Sequence, residues 1–181
     1  MILAREDILE ALERNEIKII PLKDQSAIGP CSVDLHLSDH FSVFKTGNVL
    51  SPANQSQTTA NIEDINTGDR PFLLSPGQFI LASTQEKIAV SKSLAATLQG
   101  RSSIARMGVV VQAAGLVNPG TGLEKPTTLT LEVFCQANQP VELIPGIPII
   151  QIIFHRLTRE TAIGYDEREG SQYVGLESPR L

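Results

Sequence analysis

Residues 128–134 read TLTLEVF, and this short stretch decides the fold. Leu129, Leu131 and Val133 fall on one side of an extended chain, with Thr128, Thr130, Glu132 and Phe134 on the other. That period of two marks a strand with one face in a core. The same period appears upstream, where Val33, Leu35 and Leu37 alternate with Asp34 and His36 before Phe41 and Val43 resume after a break. Two further apolar runs, SPGQFILAS and IPGIPIIQIIF, each begin at a Pro-Gly turn, and Asn118-Pro119-Gly120 supplies a third such turn. KIAV and VVVQA complete the set of strand candidates. Only Ala4 to Glu16 has helical spacing: Ile8, Leu9 and Leu12 share a face while Arg5, Glu6, Glu10 and Glu13 point to water. Many short strands and one early helix predict a mostly-β chain, a barrel or sandwich of the jelly-roll kind. No helical pattern recurs between strands, which argues against a parallel α/β sheet.

The 181 residues, 41% of them hydrophobic, suit one domain spanning 1–181 with a real core. A net charge of −5 without a dense Lys/Arg run argues against nucleic acid or an anionic membrane as partner. The N-terminus MILAREDILEALERNE interrupts any apolar core a signal peptide needs, and no later run approaches the ~18 apolar residues of a spanning helix. A soluble, cytoplasmic protein is expected. Cys31 and Cys135, the only cysteines, are expected to be buried or semi-buried thiols. Thr46 to Arg70 is polar and reads as a long surface excursion, of a length usually ordered by function or a partner.

Two places carry chemistry. Glu132 is a lone carboxylate in mid-strand, either facing solvent or half-buried against a guanidinium. The stretch GRSSIARMG, Gly100 to Gly108, offers Arg101, Ser102, Ser103 and Arg106 after a glycine where the chain can turn. It is either an ordinary turn with solvated arginines or a grip for an anion built from a guanidinium, hydroxyls and backbone amides. The spacing is not that of a Walker loop. No His-x-Glu and Pro-Cys-x-x-Cys pair is present, and His36 and His40 sit in a strand-like region where their spacing does not bring side chains together, so no zinc site is expected.

Taken in order, IGPCSVDLHLSDHFSVF, LLSPGQFILASTQEKIAVSKSLAATLQGRSSIARMGVVV, QAAGLVNPG, TLTLEVF and IPGIPIIQIIF resemble the dCTP deaminases, relatives of the trimeric dUTPases, over most of the chain. The resemblance implies a distorted jelly-roll, dUTPase-like β-barrel with a short N-terminal helix. It also implies a homotrimer with sites between subunits, dCTP or a related deoxynucleotide as substrate, and magnesium bound through the triphosphate with no metal held by the protein. By that resemblance Glu132 is the general acid and base. Ser102 and the backbone carbonyl of Ala114 hold the attacking water, and Arg106 orients the carboxylate. Arg101, Ser102 and Ser103 grip phosphate, while Asn118, Tyr165, Gln172 and Tyr173 contact the nucleotide.

Departures from the family pattern are informative. Asn118 stands where an Asp is usual, the one that in dUTPases activates the water cleaving the triphosphate, and an amide cannot serve as a carboxylate base. The product expected is therefore dUTP and not dUMP. A dUTPase, a bifunctional dUMP-forming enzyme and a catalytically impaired nucleotide binder are the alternatives. VVVQAAG is one residue shorter than usual and lacks a common His, and GTGLEKPTT is longer than usual. Gln172 and Leu176 stand where Lys and Gln are typical, which removes a charged donor that Arg168 or Arg180 would have to replace.

Overall fold

The computed structural model describes residues 1–45, 47, 50, 61–112 and 114–180. The chain begins with helix α1 (Arg5–Glu13), whose first turn is capped by the Asp7 carboxylate accepting the Ala4 N–H at 3.0 Å. The helix stops short of the expected Glu16 because Asn15 turns left-handed at φ 58°, a conformation asparagine tolerates. Ile8 and Ala11 are buried beneath it.

The strands are β1 (Ile17–Ile20), β2 (Val33–Phe44), β3 (Ile62–Asn66), β4 (Phe72–Leu74), β5 (Phe79–Val90), β6 (Leu94–Gly100), β7 (Val109–Gln112), β8 (Leu116–Val117), β9 (Thr127–Cys135), β10 (Val141–Leu143) and β11 (Pro148–Arg156). A second helix, α2 (Ser102–Ala105), is a single turn inside GRSSIARMG, where the sequence suggested only a loop. Among the described residues, β7-β9-β5-β2-β11-β6-β8 form one path of antiparallel strands, with β1 on β5 and β3 on β2, and β4 pairs with β10 alone. The large sheet curls into a half-barrel, the mostly-β architecture expected. No described helix is long and apolar enough to cross a membrane.

The alternation that predicted strands is what closes this core. On β9, Leu131 and Val133 are fully buried, and they meet Ile80 and Ala82 of β5 across the register Val133↔Ile80 and Leu131↔Ala82. β11 adds Ile149, Ile150, Ile152 and Phe154, all fully buried, and is the strand that joins β2 to β6. Two pairs of sequence segments merge into single strands. SVDLHL and FSVF are both β2, with a register shift between Leu37 and Phe41 at the break. FILAS and KIAV are both β5, with a shift between Ser83 and Lys87. At these irregularities polar side chains are taken up: His36 Nδ1 lies 2.6 Å from the buried Glu86, and His40 Nδ1 lies 2.7 Å from Asp39. Part of the polar excursion, at Ile62–Asn66, is strand β3 paired with β2, while Thr46, 48–49 and 51–60 lie outside the described residues. Cys135 is buried, but Cys31 is exposed, contrary to the expectation for both, because it sits in the turn entering β2 and not on its core face.

Leu131 is fully enclosed where β9, β5 and the core meet, so Leu131→Ala is expected to cost about 2–5 kcal/mol of stability. Urea unfolding checks this, with a fall in the midpoint at unchanged slope as the expected outcome.

Candidate functional site

The other face of the β5–β9 pair carries a cavity of ≈ 540 Å³, well within the range of small-molecule sites. Its floor is Phe79 and Leu81 of β5 beside Thr128, Thr130 and Glu132 of β9. Its walls are the segment after β7, with Ala114, Val117, Asn118 and Thr121, and the C-terminal tail, with Tyr165, Tyr173, Leu176 and Arg180. Glu132 stands opposite Leu81 on β5 and Gln112 on β7, so three strands fix its Cα. Its carboxyl is half-buried, and Oε2 has no hydrogen-bond partner among the described residues. Burial pushes its pKa above the usual carboxylate range, and amides at Glu132 itself and at Ala114 pull the other way. Such a group, raised toward neutrality and facing a cavity, is suited to exchanging protons with a bound molecule.

The tail is tied across this floor by backbone bonds to threonines. Leu176 N–H donates to Thr127 Oγ1 at 2.8 Å, Thr128 N–H donates to Leu176 O at 3.0 Å, and Arg180 N–H reaches Thr130 Oγ1 at 3.4 Å. Glu177 lies 2.8 Å from Lys125 and 3.4 Å from Lys87. The hydrogen bond from Lys125 holds the Glu177 carboxyl below the usual range. Ala114 O accepts the Leu116 N–H at 2.5 Å, and a carbonyl has a second lone pair for a further donor.

One chain thus gathers Glu132, Ala114, Asn118, Tyr165 and Tyr173 around one cavity. It does not bring the GRSSIARMG residues there. Arg101 lines a neighbouring hollow of ≈ 480 Å³ bounded by β6 and β7, where its guanidinium pairs with Asp34, which also accepts from Gln151 Nε2 at 3.1 Å. Ser102, Ser103 and Arg106 are exposed on and just after α2. Gln172 is exposed in the tail beside Tyr173. The cavity's Thr121, Thr127, Thr128 and Thr130 were not singled out from the sequence. For Thr128 and Thr130 the signal is present, since they share a strand face with Glu132, whereas Thr127 is the first residue of β9 and Thr121 reaches the cavity only through the loop's path.

A dCTP deaminase-like family profile matches residues 2–157. The dCTP deaminase of Thermomicrobium roseum is 35% identical over 99% of this chain and 92% of its own length. An enzyme named dCTP deaminase, dUMP-forming, from Dictyoglomus turgidum is 38% identical over 99% of this chain and 92% of its own. In fold, the crystal structure of 2'-deoxycytidine 5'-triphosphate deaminase from Agrobacterium tumefaciens superposes with a TM-score of 0.66 at 18% identity, over 86% of this chain and 48% of that one. The chain belongs to the dCTP deaminase-like family of enzymes.

The raised pKa of Glu132 makes a stability prediction. The unfolded chain ionises this carboxyl at its ordinary value while the folded chain still holds the proton. Stability therefore falls as pH rises through that window. Glu132→Gln is expected to match the parent below the ordinary carboxylate range and to melt at higher temperature than the parent at neutral pH. Thermal melts across a pH series check this, and equal melting temperatures throughout would show that burial does not strain the ionised form.

Proposed function

We propose that this protein deaminates dCTP to dUTP and ammonia, acting in the cytoplasm as a homotrimer on the magnesium complex of the nucleotide, with Glu132 as general acid and base. The observation that carries the reading is the half-buried Glu132 carboxyl, which lines the cavity and has one oxygen without a hydrogen-bond partner among the described residues, in a chain of this family. Water left to itself has a pKa near ~15.7, so attack on C4 of cytosine needs a base placed at the attacking oxygen. Glu132 takes that proton as the C4–O bond forms and passes it to N3. It then relays the second hydroxyl proton to the amine, so that the C4–N bond breaks and ammonia leaves with the uracil carbonyl formed. The carbonyl of Ala114, with a lone pair to spare, supports a role in holding the water.

Magnesium enters with the substrate. Among the described residues no group of three His, Cys, Asp or Glu is placed to hold an ion, and hard phosphate oxygens supply suitable ligands. The exposed set of Ser102, Ser103 and Arg106, lying away from the cavity that holds Glu132, supports a site completed by a second copy. In that arrangement α2 of one subunit brings Arg101, Ser102 and Ser103 to the phosphates and Arg106 to the carboxylate of its neighbour. Tyr165, Gln172 and Tyr173 of the tail flank the nucleotide.

The relatives are named both for deamination alone and for dUMP formation. Asn118 supports the first product for this chain. It lines the cavity as an amide, able to hydrogen-bond a deoxyribose hydroxyl but not to activate water for attack on phosphorus.

Incubation with dCTP and magnesium, resolving dUTP, dUMP and ammonia, is expected to give dUTP and ammonia in equal amounts. Pyrophosphate and dUMP would overturn the reading of Asn118. Glu132→Ala is expected to lower kcat by about 10²–10⁴-fold. A separate check is complementation: Glu132→Ala and Arg106→Ala, each inactive alone, should regain activity when unfolded together and reassembled, because mixed trimers contain sites with both residues intact. No recovery in a verified mixed assembly would place the two residues in one subunit's site.

A further inference from the structure

The turn carrying Asn118 is held from two sides. On one side Gly122, at φ +75°, lies so close to β5 that a Cβ there would stand 2.1 Å from the Ile88 carbonyl oxygen. On the other, Gly120, at φ +81°, lies so close to the tail that a Cβ would stand 2.4 Å from Gly164 Cα. Both glycines are required by this approach and by their left-handed backbone. The tail hooks over the turn at this point. Tyr165 N–H donates to Pro119 O at 2.8 Å, and Asp166 N–H reaches Gly120 O at 3.4 Å.

The Asp166 side chain closes the hook. Its Oδ1 accepts the Gly122 N–H at 3.2 Å and its Oδ2 accepts the Glu124 N–H at 3.0 Å. One carboxylate thus satisfies two amides of an irregular segment that has no strand partner there to do so, and hydrogen bonds to an ionised acceptor are the stronger class. Next to it, Glu167 accepts the Gly164 N–H at 2.8 Å and pairs with Lys92 at 3.2 Å, anchoring the base of the hook to the turn after β5. Asn118 and Thr121 on the turn and Tyr165 on the hook all line the cavity that holds Glu132.

We propose that Asp166 is a positioning residue. By clamping the amides of Gly122 and Glu124 it fixes Asn118 and Tyr165 as one rigid wall of the cavity that holds Glu132, and so sets how well a pyrimidine deoxynucleotide seats before reaction. Asp166 itself does not line the cavity and takes no part in proton transfer. The kinetic arm of its test rests on the deaminase reading, and the optical arm does not.

The chain has two tyrosines and no tryptophan, and both tyrosines line the cavity, so its intrinsic emission reports the cavity lining, with Tyr165 on this wall as one of its two sources. The experiment compares full-length parent, Asp166→Ala and Asp166→Asn by thermal melting, by acrylamide quenching of tyrosine emission without nucleotide, and by steady-state kinetics with dCTP. Asp166→Ala is expected to quench more readily than the parent and to raise KM about tenfold. Its kcat should stay within about threefold and the pH dependence of kcat should be unmoved, as suits lost ground-state positioning. Asp166→Asn keeps one acceptor oxygen and is expected to fall between, and it is the variant to read if Asp166→Ala does not fold. Unchanged quenching in a folded variant, or an unchanged KM, overturns the proposal. So does a fall in kcat at constant KM or a shifted pH profile, either of which would place Asp166 in the chemistry. If the parent does not turn over dCTP, the deaminase reading fails by itself, and the quenching result still decides whether Asp166 holds the wall.

Discussion

The pairing of β5 with β9 is the constraint on which the molecule rests. With Leu81 opposite Glu132 and Ala82 opposite Leu131, the alternation sends Leu131, Val133, Ile80 and Ala82 into the core and turns Phe79, Leu81, Thr130 and Glu132 to the cavity. A slip by one residue would exchange the two sets, placing Glu132 among Leu and Val side chains and Leu131 in the cavity. The burial of Leu131, Val133, Ile80 and Ala82 therefore does two things at once. It supplies apolar stabilisation, and it fixes the side of the sheet on which the carboxylate stands.

Glu132 is raised by burial with amides as its nearby donors, and Arg101 is matched to Asp34 in a different hollow. A half-buried carboxylate that makes no ion pair among the described residues costs stability unless something compensates it.

The sequence made the strand faces legible because alternation is a local property. From TLTLEVF alone, Leu129, Leu131 and Val133 could be set on one face and Glu132 on the other. The family is legible from the longer segments taken together, which persist in order. What escaped was whatever depends on where separated segments meet. GRSSIARMG could be read as a turn, but a single helical turn with Ile104 as its one buried residue gives no periodic signal. The breaks within β2 and β5 looked like ends of strands, because a register shift interrupts alternation just as a loop does. The hook at Asp166 was invisible for a different reason. Its bonds run from a side chain to the backbone amides of Gly122 and Glu124, and the backbone amides are alike in every sequence. The exposure of Cys31 runs against the habit of its residue type, which a turn overrides.

The place of β11 has a consequence in time. Until residues 148–156 pair, the sheet is two separate pieces, β7-β9-β5-β2 with β1 and β3 on one side and β6-β8 on the other. The cavity takes Leu81 and Glu132 from the first piece and Leu98 and Val117 from the second, so neither piece contains it. During synthesis at ~5–20 residues per second, most of the chain must leave the ribosome before β2 finds the partner that joins the halves. Such non-local closure is slow by nature. The half-made protein therefore spends its first seconds with two open edges, and the carboxylate acquires its chemical surroundings only after the last strand is laid down and the tail behind it has closed the wall.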